Sequence, residues 1–146
     1  MLFACIKLIH LLSLLLLVSS SIAKNLLVRK ALSPESIRKC RAADRVSGAM
    51  AGLMVVSGIC MLYLSPKGYS FYGGNALFWL KIALLVVASL FIIRTKIFFK
   101  SFPDSQESGE FKVPGSIRSI LAFDLFSLSA MAVLGVLIVK GTIVNF

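Results

Sequence analysis

Apolar positions in this chain fall into four long runs, at about residues 2–23, 46–64, 76–99 and 119–139, with short polar stretches between them. Each run is close to the ~20 residues a helix needs to cross the ~30 Å hydrocarbon core of a bilayer. The pattern predicts an all-α protein. Its architecture is a four-helix transmembrane bundle forming one integral membrane domain over residues 1–146.

The polar stretches give the bundle a direction. Lys24, Arg29, Lys30, Arg38, Lys39, Arg41 and Arg45 follow the first run, and Lys100, Lys112 and Arg118 follow the third, diluted by Asp104, Glu107 and Glu110. The second gap and the tail keep only Lys67 and Lys140. Basic loops stay on the cytoplasmic side, so both termini are expected to be periplasmic in a bacterial inner (plasma) membrane. The second gap holds Tyr69, Phe71 and Tyr72, and Trp79 follows, as in an interfacial aromatic belt. The first run also has the look of a signal peptide, since Ser21 and Ala23 are placed like a cleavage site. Cleavage after export would leave the basic loop outside, so a retained helix is the reading adopted.

Local signals refine the elements. Ser33-Pro34 suits an N-cap followed by the first helical position, which predicts a short interfacial helix from about 34 to 44 leading into the second span. Gly48 and Gly52 are four apart and share a helix face, which predicts close helix packing there. The breaks Phe102-Pro103 and Val113-Pro114-Gly115 mark the third gap as a loop.

Composition agrees with a membrane protein. The chain is 58% hydrophobic with mean hydropathy +0.93, above what a soluble domain of 146 residues carries. The net charge is +10. In a membrane protein, basic loops hold topology and touch the anionic headgroups of the lipid bilayer. No nucleic-acid partner is therefore expected; a second copy of the chain or another membrane protein remains a candidate partner. Cys5, Cys40 and Cys60 follow no metal or redox spacing. Cys5 and Cys60 could meet near the outer surface, but inert buried cysteines are the simpler reading. Met50 and Met54 read as packing residues rather than copper ligands, so no metal site is expected.

Ionisable groups at membrane depth are costly and each needs a reason. Lys7, His10, Ser13, Ser20 and Lys24 recur at near-helical spacing on the first run and are expected to face the bundle. At about 1.5 Å per residue, His10 lies roughly 12 Å and Lys81 roughly 8 Å below the same outer surface. One reading is a shared site: an imidazole can ligate haem iron or relay a proton, and an ammonium can pair with a propionate. The other is that Lys81 snorkels to the headgroups and His10 bonds a neighbouring helix. Asp124 lies near the inner end of the fourth span, where Arg45 and Arg94 mark helix ends, and a structural ion pair with one of them is expected. There is no Ser-His-Asp arrangement, P-loop or dinucleotide fingerprint to assign a catalytic residue.

Ala43-Asp44-Arg45 with Gly48, then Lys67-Gly68, Phe71-Tyr72 and Asn75, then Leu77-Phe78-Trp79-Leu80-Lys81, together resemble the bacterial membrane family called domain of unknown function 2214. The similarity extends to Val113-Pro114 and Lys140-Gly141 and is most specific from Phe71 to Lys81. The chain departs from that pattern at Ile93-Arg94-Thr95, where a proline tends to precede the threonine. The fourth span lacks an expected proline, and Asp124 stands where a glutamate is common. A more distant similarity is to four-helix membrane protoporphyrinogen oxidases and copper-resistance-type membrane proteins. The oxidases place a first-helix histidine and a third-helix lysine around haem, and His10 and Lys81 match those two positions. That resemblance implies haem as a candidate cofactor without carrying over the activity.

The function expected is that of a small polytopic membrane protein, non-enzymatic or an assembly or accessory subunit. The alternatives are a haem- or porphyrin-binding redox protein using His10 and Lys81, and a small transporter or channel subunit.

Overall fold

The computed structural model describes residues 1–28, 31–102 and 111–141. Arg29, Lys30, Asp104, Glu107 and Glu110 lie outside the described residues. The elements are α1 (Leu2–Leu27), β1 (Ala31–Leu32), α2 (Pro34–Leu64), α3 (Gly68–Gly73), α4 (Ala76–Lys100), β2 (Phe111–Lys112) and α5 (Gly115–Val139).

The four long helices are each long and apolar enough to cross a membrane. They alternate in direction, as short connections require. α1 packs most extensively on α2 and α4 on α5, while α1–α5 and α2–α4 contacts close the ring. Both ends of the described chain lie with the α2–α4 connection at one end of the bundle. This is called the aromatic end; the opposite, basic end carries the α1–α2 and α4–α5 connections.

The capping signals act as the residues dictate. The Ser33 side chain accepts from the Ser36 amide, and Asn75 caps α4 by accepting from the Leu77 amide at 3.0 Å. The residues expected as a short interfacial helix are helical, but no break separates them from the second span. α2 therefore has 31 residues, about 46 Å at ~1.5 Å each, longer than the ~30 Å hydrocarbon core. Its first turns extend the span rather than lie across it.

Two cores hold the ring together. Leu17, Met54, Ala88, Ile92, Leu128 and Met131 fill mid-bundle, one or more from each long helix. Val28, Leu32, Ile37, Cys40, Phe99, Ile117 and Leu121 close the basic end, where Phe98, Phe102 and Phe111 stack edge-on in series. A two-residue antiparallel ladder, Ala31 with Lys112 and Leu32 with Phe111, ties the two basic connections over that plug. No alternating pattern in the sequence marks so short a ladder. Outward positions such as Leu8, Leu15, Val56, Leu90 and Phe126 are exposed and apolar, as lipid-facing residues are.

Two sequence expectations need correction. Gly48 and Gly52 are exposed, and a Cβ added to either meets no atom within 4 Å. They do not pack one helix of this chain against another. The reason is angular: α2 turns Ser47, Met54 and Ser57 inward, so Gly48 and Gly52 face out. Lys7 is also exposed, so the inward stripe of α1 begins at His10.

Candidate functional site

The stripe on α1 builds two polar sites, one toward each end. Toward the basic end, Ser20, Ser21 and Lys24 are all buried. Lys24 has no exposed surface and lies 2.9 Å from Oδ1 of Asp44 on α2. The same oxygen accepts from Thr95 of α4 at 3.2 Å. Ser21 donates to Oδ2 of Asp124 on α5 at 2.7 Å, and Ser20 meets Ser47 of α2 at 2.7 Å. Asn25 adds a clamp by donating to the Leu121 carbonyl at 3.0 Å. One cluster thus takes a side chain from each long helix.

The expected pair between Asp124 and Arg45 or Arg94 is corrected here. Both arginines are exposed, while Asp124 is 1% exposed and bonded to Ser21. A long guanidinium at a span end gains more from water than from a carboxylate in the interior. Lys24 was expected both on the inward stripe and as a loop cation; its burial against Asp44 follows from the stripe. Among the described residues, Asp44 Oδ2 and Asp124 Oδ1 are buried without a hydrogen-bond partner. Lys24 bonds one oxygen of Asp44 and Ser21 one oxygen of Asp124, so each carboxylate keeps acceptor capacity in use by no described partner.

Toward the aromatic end lies a cavity of about 220 Å³ lined by side chains of all four long helices and α3. His10 and Lys81, placed at similar depth by the sequence, both line it. His10 Nδ1 is 2.9 Å from Ser57 Oγ. The Ser57 hydroxyl donates to the Leu53 carbonyl at 2.7 Å. The hydroxyl oxygen is then left to accept from His10 Nδ1–H, and the neutral ring keeps its lone pair on Nε2. Lys81 is turned inward, its Nζ 3.4 Å from where a Cβ on Gly135 would stand. Among the described residues it has no hydrogen-bond or ion-pair partner. Its ammonium thus points across the bundle toward α5.

Two glycines that the sequence reading passed over make this room. A Cβ on Gly58 would stand 3.4 Å from His10 Cε1, and Gly135 plays the same part beside Lys81. Their signal was present: each is a glycine inside an apolar helix, a position that needs a packing reason. The aromatic belt is divided. Tyr69 and Trp79 are exposed, with the indole N–H donating to the Gly73 carbonyl at 2.9 Å. Tyr72 and Phe78 turn in and roof the cavity. At its rim, Val55, Ile59, Ile82 and Val139 are exposed on the outside of the bundle. The cavity therefore opens sideways, toward the bilayer.

The expectation of buried cysteines holds for one of the three. Cys5, Cys40 and Cys60 are all free, and only Cys40 is buried. No group of three His, Cys, Asp or Glu suited to a metal occurs among the described residues.

A comparison with curated proteins and one with solved structures give no match, so the wider likeness to the protoporphyrinogen oxidases has no support there. A family model described as "Predicted membrane protein (DUF2214)" matches residues 3–142. With four helices able to span a bilayer and a match across nearly its full length, the chain is a multi-pass membrane protein and belongs to that family.

Proposed function

We propose that this protein is a non-enzymatic membrane-embedded binding protein whose aromatic-end cavity takes a lipophilic carboxylic acid. The observation that carries the reading is Lys81: an inward-turned ammonium without a counter-ion among the described residues, in an apolar cavity shared with His10. Desolvating a cation without an anion is expensive, and a ligand carboxylate removes that cost. His10 adds a second polar contact through its ring. The sideways mouth admits a ligand from the bilayer. Its acid end would sit between His10 and Lys81, with its chain leaving past Ile59 and Ile82.

The test is binding of a fluorescent long-chain fatty acid to the purified protein in nanodiscs. Lys81→Met is expected to weaken binding at least tenfold and Lys81→Arg to keep much of it. Equal affinity in the wild type and Lys81→Met would overturn the reading.

Haem is the second reading, favoured by the imidazole of His10 and by Met54 and Met131 in the same lining. The cavity volume of about 220 Å³ is below the roughly 300–1,000 Å³ of pockets that enclose drug-sized ligands. A tetrapyrrole is itself drug-sized, so the helices would have to part to admit one. A Soret band lost in His10→Ala would support haem. A colourless protein from haem-replete cells, with no uptake on titration, would sink it.

The same proposal places the basic end in the cytoplasm and both termini in the periplasm of a bacterial inner membrane, supported by the distribution of Lys and Arg. A reporter fused after Phe146 that is active only in the cytoplasm would reverse that orientation.

A further inference from the structure

Arg41 and Arg45 are four residues apart on α2, and Lys96 and Lys100 are four apart on α4. Residues at that spacing share a helix face, and like charges there repel. The antiparallel fold brings the two pairs together at the basic end. With Asp44 and Phe102 they line a cleft of about 400 Å³. Arg41 is fixed by the main chain, its Nε donating to the Phe99 carbonyl at 2.8 Å and a terminal nitrogen to that of Phe102. Arg45, Lys96 and Lys100 are exposed, and no acid or other partner bonds them among the described residues. Asp44 does not answer this charge, because Lys24 already neutralises it.

Arg45, Lys96 and Lys100, beside the anchored Arg41, ring a cleft whose one carboxylate among the described residues is already paired, a charge set that suits an anion. What lies beside the cleft says which anion. Gly48 and Gly52 continue the Arg41–Arg45 face toward mid-span, exposed and with nothing within 4 Å of their Cβ positions. On α4, the Lys96–Lys100 face continues into exposed Ile93. The charged cleft thus leads into a smooth apolar furrow running along the span. We propose that the cleft binds the phosphate of an anionic phospholipid, with an acyl chain lying in the Gly48–Gly52 furrow. Lysine and arginine suit a phosphate ester, which each can meet with charge-assisted hydrogen bonds. Basic pockets between spans are a recurring form of lipid recognition. This site is separate from the His10–Lys81 cavity and does not depend on what that cavity holds.

The test uses the full chain in native mass spectrometry, with phosphatidylglycerol, phosphatidylcholine or inorganic phosphate as the probe. Wild-type protein is expected to retain phosphatidylglycerol at least tenfold more tightly than phosphatidylcholine. Lys96→Gln with Lys100→Gln should abolish that preference. Lys100→Gln alone, an exposed change that leaves the fold intact, should reduce it several-fold. Gly48→Leu with Gly52→Leu fills the furrow and should weaken phosphatidylglycerol severalfold. Equal retention of the two lipids, or an unchanged preference in the lysine variants, would overturn the proposal. If inorganic phosphate displaces phosphatidylglycerol at equal concentration, or the furrow variant binds as well as wild type, the cleft is a free-phosphate site and the lipid assignment fails.

Discussion

Two lysines sit inside this bundle, and their surroundings differ. Lys24 has no exposed surface, and Asp44 and Thr95 complete its cluster. Lys81 has no partner among the described residues and stands at an open cavity with His10. The first lies beneath the aromatic plug of the basic end, while the second lines a cavity with exposed apolar residues at its edge. A buried charge that the fold has paired belongs to the fold. A partly buried charge without a partner among the described residues, at the edge of a cavity, is where the proposed ligand would act.

The comparison is easiest to break at Lys24. Lys24→Met strands Asp44 as a buried, uncompensated carboxylate, a loss expected at about 3–5 kcal/mol. It should be read as a large drop in folded yield or in the midpoint of denaturation in mixed micelles. Lys24→Met combined with Asp44→Leu should recover most of that loss, since replacing both partners of a buried pair is often nearly neutral. If the double variant is no better than the single one, the pair is not what holds Lys24 in place.

A comparable loss, about 3–5 kcal/mol, is expected for Phe99→Ala by the same denaturation measurement, because Phe99 is fully buried in the plug. Asp124→Asn is expected to cost about 1 kcal/mol, the weight of one exchanged hydrogen bond. The amide still accepts from Ser21, and one carboxylate oxygen had no partner to lose. A loss as large as that of Lys24→Met would show that the Asp124 charge is held as firmly as that of Asp44. Ser47→Ala, which breaks the contact with Ser20, should cost about 0.6 kcal/mol, as interhelical hydrogen bonds in membranes do. Lys81→Met sharpens the contrast from the other side. It should leave stability unchanged or slightly raised, since it removes an ammonium with no partner among the described residues, while weakening ligand binding at least tenfold. A marked loss of stability would mean that Lys81 has a structural partner after all.

Much of the fold could be read before any coordinates. The four spans follow from run length, and Ser33 announces its cap. The stripe on α1 named Lys7, His10, Ser13, Ser20 and Lys24 as inward residues; Ser13, Ser20 and Lys24 are buried, His10 is partly exposed, and Lys7 faces out. The similar depth of His10 and Lys81 came from counting residues, because rise per residue is fixed. What counting could not supply was the angular position of one helix relative to another. Gly48 and Gly52 carry a packing spacing, yet α2 turns them outward. Gly58 and Gly135 carry no spacing at all, yet they stand against His10 and Lys81. Asp124 was assigned an arginine because arginines lie at similar depth, but its neighbour is Ser21, a residue with no charge to attract attention.

The sequence by itself determined that this chain has four runs able to span a bilayer and that His10, Lys81 and Asp124 lie within them. These are one-dimensional properties, set by hydropathy, capping and charge asymmetry. Only the tertiary structure decided which polar groups meet. The pairing of Lys24 with Asp44 and the placing of Lys81 with His10 on one cavity depend on helix rotation and on the order of helices around the ring. That order and rotation come from packing between side chains distant in sequence, which no local pattern records.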